Sequence, residues 1–585
     1  MSDRRKDYKP SLSAEVGAMR RREVTNDLRR DRRERLLHAK RRKVGEDGAG
    51  GGGGGGGAGA GGGGAGGGGA PGVDAVGDEE LGLALGALVA GGGASRPGEE
   101  RTRALRVVRR ALSGSGGEGR AAGLLAGGLG PVLARVLAGA ASDGAGALEA
   151  AWCVTNIACG GEDEVAGVLP CGPALVALLA SDASPLAEQA AWAIGNIAAE
   201  SEGARRALAA NGAPAALARA MGSRSPRVAR TAAWAACSLL RDRAATAAPY
   251  LAGGALRPIL AALESAAGDD GSGGGADAGY VADMAWVLTY LTAKEEAVAR
   301  SLVEAGVIAA LVPLLGSGEG PLTCPALRAI GNCVSLAAEF GAAAIAQPGF
   351  LRGCAAALAS PDLALAKETA WTLSNVMAGG REACGAVVAA GLVPPLAAAA
   401  VSGTFPVRRE ALFALHNLAL VDEGLALLLG DPAAGALVGA YVGIISAPDA
   451  ALARLGLSFV GRVLDAAPGG VDLVAANGGA DALEEAQYRL QQSELGGLAR
   501  WLLARHFEGD DDGGGGEAPW GGEAPPPLPP ATAAAGGMGR GAHMAVPAWV
   551  AAGAGGHGGG DAAGAGRGSA PGARQATLGE FGFSA

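Results

Sequence analysis

Aromatic residues are scarce in this chain. Phenylalanine, tryptophan and tyrosine make up 4% of its 585 residues, and aromatic and β-branched side chains are those that strands favour. Alanine and leucine are abundant between residues 98 and 507 instead, and both are strong helix formers. The composition therefore predicts an all-α fold.

Metal-ligand motifs, paired cysteines and long apolar runs are also lacking. The five histidines show no metal spacing, and none of the eight cysteines, which lie between Cys153 and Cys384, forms a Cys-x-x-Cys pair. We predict free thiols in a reducing compartment and no cofactor. The run Ala386–Val401 is short and contains two prolines, the N-terminus is charged, and no catalytic motif is visible. We therefore expect no membrane span, no secretory signal and no enzymatic activity.

Glycine and charge divide the chain into four parts. Much of the glycine lies in 45–97 and 508–585, which lack the large apolar residues that offset chain entropy. We expect a flexible linker at 45–97, a folded region at 98–507 and a disordered tail at 508–585. Residues 1–44 contain 16 lysines and arginines against 7 acidic residues, whereas the remainder contains 33 against 51. An acidic body with a basic arm favours basic peptides as ligands and argues against nucleic acid.

A repeat of about 42 residues runs through the folded region. Its strongest copies place tryptophan and asparagine four residues apart, and the steps between equivalent positions are 40, 42, 52, 42, 43 and 42 residues. Those positions, called Trp positions below, are Trp152, Trp192, Trp234, Trp286, Arg328, Trp371 and Phe413. The long step contains the glycine-rich insert 269–279, which we interpret as an enlarged loop.

Each period has the same predicted layout. A glycine precedes a short apolar helix such as 307–315, and a longer helix then carries the Trp position and the Asn position four residues later. The glycines in question are Gly212, Gly254, Gly306 and Gly391. Two or three helices per repeat of this length is the armadillo/HEAT pattern. We predict about ten repeats, of which 101–112 begins the first and helices 450–466 and 482–507 close the last.

The Trp and Asn positions should form a ladder, because residues four apart share a helix face and stacked repeats align them. An asparagine amide both donates and accepts, so we expect it to face the groove and hold the backbone of an extended peptide. Tryptophans would form slots for lysine and arginine stems. Acids three or four residues before the Trp positions would complete the selection for basic side chains. They are Glu149, Glu188, Asp283, Glu368 and Glu410.

The alternative is that the tryptophans are core residues and the asparagines only end helices. The in-phase recurrence of the pair argues against this, because a core would tolerate leucine and would not require a buried amide.

At these residues the chain resembles the importin alpha (karyopherin alpha) family over about 1–44 and 98–507. The segment Pro325–Asn332 resembles the family's sixth repeat, where arginine replaces tryptophan. Trp286 with Tyr290 resembles the fifth repeat, where tyrosine replaces asparagine, and the segment 478–484 resembles the last repeat. The end of the solenoid and the arginine-rich arm are most similar to the divergent plant alpha-9 branch.

The resemblance implies a right-handed armadillo superhelix that binds classical nuclear localisation signals and shuttles between cytoplasm and nucleus as an import adaptor. Its implied partners are importin beta, cargo proteins and the importin-alpha export receptor. The alternative function is an armadillo scaffold for a fixed partner. The basic arm and the asparagine ladder argue against it, since a scaffold needs neither.

The resemblance also implies two peptide sites. The major site would contain Trp152, Asn156, Glu188, Gln189, Trp192, Asn196, Glu200, Trp234 and Ser238. The minor site would contain Asp283, Tyr290, Arg328, Asn332, Glu368, Trp371, Asn375, Glu410, Phe413 and Asn417. Ser238 replaces asparagine, Phe413 replaces tryptophan and Val165 replaces a threonine. These departures should weaken the binding of ordinary localisation signals, most of all at the minor site.

The arm 1–44 resembles the importin-beta-binding segment, whose two basic clusters are matched by Arg20, Arg21 and Arg22 and by Lys40, Arg41, Arg42 and Lys43. The resemblance implies that the second cluster also mimics a cargo signal and occupies the chain's own major site. A glycine-rich linker of this length spans roughly 40 Å, so such docking is geometrically permitted. A generic basic tail or nucleic-acid-binding arm is the alternative.

Overall fold

The computed structural model describes residues 76–90, 98–113, 117–241, 247–267, 277–318, 320–491 and 493–507. These residues form helices joined by turns, and no strand occurs among them, which confirms the all-α prediction. The predicted basic arm at 1–44, the predicted tail at 508–585 and most of the insert 269–279 lie outside the described residues.

The chain divides into two compact units between Val298 and Ala299. The first unit contains the α-helices Asp78–Ala90, Gly98–Ser113, Gly117–Ala126, Leu129–Ala138, Gly144–Ile157, Glu162–Val168, Gly172–Leu178, Ser184–Glu200, Glu202–Ala210, Ala213–Met221, Pro226–Leu240, Ala248–Ala252, Leu256–Ala267 and Ala278–Thr292. Glu296–Glu304 crosses the boundary. The second unit contains Val307–Leu311, Gly320–Val334, Ala338–Ile345, Phe350–Leu358, Leu363–Met377, Arg381–Ala389, Val393–Ser402, Phe405–Ala419, Asp422–Leu429, Ala434–Ile445, Ala450–Ala466, Gly470–Ala476, Gly479–Arg489 and Glu494–His506. Two short 3₁₀ helices are Leu169–Cys171 and Val312–Gly316.

A typical repeat has two short helices and a longer third one. In repeat 3 these are Glu162–Val168, Gly172–Leu178 and Ser184–Glu200. Within each unit, third helices of consecutive repeats pack side by side. The third helices of repeats 1–5 are Gly98–Ser113, Gly144–Ile157, Ser184–Glu200, Pro226–Leu240 and Ala278–Thr292, and those of repeats 6–10 are Gly320–Val334, Leu363–Met377, Phe405–Ala419, Ala450–Ala466 and Glu494–His506. The described residues thus contain ten repeats, in agreement with the predicted number.

Local sequence signals explain where the helices begin. The four glycines predicted to open repeats all have positive φ, between 70° at Gly391 and 88° at Gly306, a conformation that residues with a Cβ rarely adopt. Several third helices begin after an aspartate whose carboxylate accepts a backbone N–H, as Asp362 does from Ala364 at 2.8 Å. These glycines and aspartates begin helices at equivalent positions in successive repeats.

Two predicted boundaries are wrong. The helix Asp78–Ala90 lies inside the expected linker 45–97, because Leu81, Ala84 and Leu88 form one apolar stripe that is buried. The expected single helix 482–507 is divided into Gly479–Arg489 and Glu494–His506. At Gly496 a Cβ would lie 2.2 Å from the Leu490 carbonyl oxygen, so this glycine permits the close return of the second helix.

The eight cysteines are free thiols, and most of them are buried, which confirms that none is paired. Among the described helices, none is long and apolar enough to cross a bilayer by itself, although four bent helix pairs meet the requirement in length and composition.

Candidate functional site

The Trp positions fall into two classes of exposure. Trp152, Trp192, Trp234 and Trp286 are half-buried, so each ring retains a surface that a ligand can contact. Trp371 is only 4% exposed, and the core interpretation that was set aside for the ladder as a whole applies to this residue. The first unit therefore presents the more accessible aromatic surface.

Glycines immediately before the Asn position make room for the next tryptophan. A Cβ on Gly195 would lie 2.0 Å from Cζ3 of Trp234, and one on Gly331 would lie 2.2 Å from Cζ3 of Trp371. The Trp192 and Trp234 rings are 6.2 Å apart between centroids and tilted by 50°. These glycines were missed as site residues, although the Gly-Asn dipeptide in repeats 3 and 6 was a usable signal.

Three of the asparagine amides connect neighbouring repeats in the same way. Asn196 Nδ2 donates to the Thr155 carbonyl oxygen at 3.0 Å, and Asn417 Nδ2 donates to that of Ser374 at 2.7 Å. Asn375 makes the same contact at 3.4 Å with Gly331. Each acceptor is the residue before the Asn position of the preceding repeat. The ladder therefore joins third helices to each other.

This geometry corrects the expectation that every amide faces the groove. Asn196 is fully buried, and its Oδ1 has no hydrogen-bond partner among the described residues. Asn332 is also buried, whereas Asn156, Asn375 and Asn417 are half-buried. The reason is that the end of each third helix offers carbonyl oxygens within reach of the next amide.

The two positions without asparagine turn inward. Ser238 is buried, and its hydroxyl donates to the Trp234 carbonyl oxygen at 3.3 Å. Tyr290 is buried against Trp286, with ring centroids 6.4 Å apart. Neither side chain presents a groove-facing clamp of the kind that was expected at the Asn position.

Several of the predicted slot acids are already paired with arginines of an adjacent repeat. Glu188 Oε2 lies 3.0 Å from Nε of Arg227, which is 78% exposed. Glu368 forms a buried bidentate pair with Arg328, in which Nε donates to Oε2 at 3.0 Å. Sequence spacing did not reveal these pairs because the partners lie about 40 residues apart in the chain.

A third acid, Glu149, accepts from Arg106 Nε at 3.1 Å and from Arg109 Nε at 2.7 Å. Arg109 also places its guanidinium carbon 4.5 Å from the centroid of the Trp152 ring. The acid and one face of the first tryptophan are thus both engaged by repeat 1.

The remaining major-site residues differ in their surroundings. Glu200 is exposed, and no ion pair or hydrogen bond within the described part of the chain involves it. Gln189 Nε2 donates to the Thr155 hydroxyl at 2.6 Å, and Val165 is buried. Glu200 is therefore the acid available to a basic ligand at this site.

Beside the minor site, His416 directly precedes Asn417. Burial, together with the nearby charge of Arg462, lowers the pKa of His416 to about 4. Its Nε2 lies 3.4 Å from the Ser458 hydroxyl of repeat 9. Glu410, on the same helix, is buried and Phe413 is half-buried.

The major-site residues all belong to the first unit. The minor-site residues belong to the second unit, apart from Asp283 and Tyr290, which belong to the first. Within the described residues no cluster of three or more His, Cys, Asp or Glu is arranged to hold a metal ion.

Ten consecutive helical repeats, nine of them with three described helices, define an armadillo/HEAT-type repeat protein. A family described as HEAT-like repeat matches residues 148–197. A crystal structure of an engineered protein shares the fold, with a TM-score of 0.62, 23% identity, and coverage of 74% of this chain and 99% of that one.

Two plant proteins are similar along most of their length. Importin subunit alpha-9 of Arabidopsis thaliana is 30% identical over 535 residues, which cover 87% of this chain and 98% of the relative. Importin subunit alpha-2 of Oryza sativa subsp. japonica is 33% identical over 453 residues, which cover 74% and 82% respectively. The chain belongs to the importin alpha family.

Proposed function

We propose that this protein is a nuclear import adaptor that binds lysine- and arginine-rich localisation signals on its third-helix surface and links them to importin beta. The observation that carries the proposal is the series of half-buried tryptophans at Trp152, Trp192 and Trp234, which repeat in phase along consecutive third helices. Such a series offers slots for basic side chains at a spacing fixed by the repeat.

The charge distribution supports a basic ligand. The chain outside residues 1–44 contains 33 lysines and arginines against 51 aspartates and glutamates. Glu200 is exposed at the end of the Ser184–Glu200 helix, where its carboxylate can pair with an incoming lysine. Long-range attraction between an acidic body and a basic peptide accelerates association and makes it sensitive to salt.

The major site is proposed as the principal one. At the minor site Trp371 is nearly inaccessible, and Arg328 and Glu368 neutralise each other. Phe413 supplies a weaker cation platform than tryptophan would. We therefore expect signals with one basic cluster to bind in the first unit, and the second unit to contribute less.

The basic arm completes the proposed adaptor. We propose that residues 1–44 bind importin beta through the clusters around Arg21 and Arg41, and that the second cluster competes with cargo for the major site. The adaptor would move between cytoplasm and nucleus, returning with the importin-alpha export receptor.

A bridging experiment tests the adaptor function against a simple scaffold. Importin beta is immobilised, and a fluorescent lysine-rich peptide is added with or without the full chain. We expect retention of the peptide only when the chain is present, and loss of retention when the lysines of the peptide are replaced by alanine. If the chain binds importin beta but never retains the peptide, the cargo-binding proposal fails.

A further inference from the structure

Arg109 makes the contacts that a basic side chain of a ligand would be expected to make. Its guanidinium carbon lies 4.5 Å from the centroid of the Trp152 ring, and its Nε lies 2.7 Å from Glu149 Oε2. The side chains of Arg109 and Glu149 are only 21% and 12% exposed. An aromatic face and a carboxylate together form the preferred environment for a guanidinium group.

The repeat phase shows that the arginine–acid part of this arrangement occurs twice. Arg109 precedes Trp152 by 43 residues, so it stands at the Trp position of repeat 1. Arg328 stands at the Trp position of repeat 6 and precedes Trp371 by 43 residues. Each arginine pairs with an acid 40 residues further on, Glu149 and Glu368 respectively. In both repeats, the arginine at the Trp position therefore pairs with the acid of the next repeat.

We infer that Arg109 is an internal ligand that fills one face of Trp152 and thereby sets the end of the basic-peptide site. The inference rests on the proposed peptide-binding function and specifies its ligand: a short basic cluster read at Trp192, Trp234 and the uncovered face of Trp152. A further lysine beyond that cluster gains little affinity, because the ring face and the Glu149 carboxylate are already engaged. Displacing Arg109 would only exchange one charged pair for another and would require ordering of the ligand.

The test compares two peptide lengths on full-length protein. One peptide carries a cluster of lysines between neutral residues, and two longer peptides extend that cluster by two lysines at either end. Affinities are measured by fluorescence anisotropy for the wild type, Arg109→Ala, Arg109→Gln and Arg106→Ala. Arg106 pairs with the same carboxylate at 3.1 Å but is 54% exposed, so its removal changes the charge equally and leaves the Trp152 face covered. The ratio of affinities is unaffected by competition from the arm, which weakens both peptides alike.

We expect the wild type and Arg106→Ala to bind the short and extended peptides within about twofold of each other. Arg109→Ala and Arg109→Gln should bind one of the two extended peptides about fivefold more tightly than the short peptide. This is the factor that one partly exposed cation–π contact supplies. The inference is overturned if extending the peptide raises affinity equally for the wild type and the Arg109 variants, or if Arg106→Ala raises the preference for an extended peptide as much as they do. In either case peptide binding itself remains supported. Failure of every variant to bind any peptide refutes the proposed function itself.

Discussion

The amide nitrogen of Asn196 and the carbonyl oxygen of Thr155 lie 3.0 Å apart and join the third helices of repeats 2 and 3. A residue expected to hold a ligand therefore already holds the solenoid together. The same contact recurs between Asn417 and Ser374. In this repeat architecture, the surface proposed to bind peptides and the seam between repeats are formed by the same side chains.

Asn196→Ala should lower the stability of the folded protein. Removing a buried amide leaves the Thr155 carbonyl without this donor, at a cost of about 1–3 kcal/mol in the free energy of unfolding. The half-buried Asn156 donates to the Ser113 hydroxyl at 2.8 Å, so Asn156→Ala is the matched control and should cost about 1 kcal/mol or less. Urea unfolding measures the free energy of unfolding of both variants. An Asn196→Ala protein as stable as the wild type would contradict the structural role.

Gly195→Ala should displace Trp234 and destabilise repeats 3 and 4. The new methyl group would lie 2.0 Å from Cζ3 of the ring, and overpacking of this kind costs about 1–3 kcal/mol. Gly203→Ala is the control, because the nearest atom, 3.8 Å away, is the Ser201 hydroxyl oxygen. Thermal unfolding should show a lowered Tm for Gly195→Ala alone. Equal Tm values for the two variants would refute the proposed packing.

The Arg328–Glu368 pair should behave as a coupled unit, since both side chains are almost fully buried, at 7% and 3% exposure. Arg328→Met or Glu368→Leu alone should cost about 3–5 kcal/mol, because each leaves a buried charge without its partner, whereas the double variant should cost far less than the sum. A double-mutant cycle by urea unfolding measures the coupling. Glu202→Ala, which breaks the exposed pair with Arg206, should cost no more than about 1 kcal/mol. Additive losses at Arg328 and Glu368 would argue against coupling.

His416 should make stability depend on pH below neutrality. Its pKa falls from an ordinary value of 6.5 to about 4 on folding, so the unfolded chain binds the proton more readily. The contribution is fully present above pH 6.5 and is lost as pH falls towards 4, by about 3 kcal/mol in total. The difference in unfolding free energy between wild type and His416→Gln should therefore shrink as pH falls through this window. A difference that stays constant from pH 7 to pH 4 would contradict neutral burial of the imidazole.

Regular features of the repeat were predictable from sequence. The helix 450–466 was predicted at its observed bounds, and glycines such as Gly212 and Gly306 directly precede short helices, as the repeat layout predicted. These predictions succeeded because they depend on local preferences repeated in phase. The stripe around Leu81 was missed because the glycines beside it dominated the composition.

The site was less predictable, because its contacts join side chains about 40 residues apart. Helical spacing correctly placed Trp192 and Asn196 on one helix, but the direction of the amide depends on the neighbouring carbonyl of Thr155. Likewise, Glu149 could be assigned to a slot, yet its engagement by Arg109 follows only from the packing of repeat 1 on repeat 2. Contacts across repeats, rather than within them, decide which groups remain available to a ligand.

The most direct measurement is the affinity of one fluorescent lysine-rich peptide for three full-length proteins. These are the wild type, an arm variant with Lys40, Arg41 and Arg42 changed to alanine, and the arm variant with Trp192→Ala added. A tethered arm at an effective concentration on the order of millimolar should suppress cargo binding. We therefore predict that the arm variant binds the peptide at least about tenfold more tightly than the wild type. Adding Trp192→Ala should remove most of that affinity. Equal affinities for all three proteins would contradict both the location of the peptide site and its control by the arm.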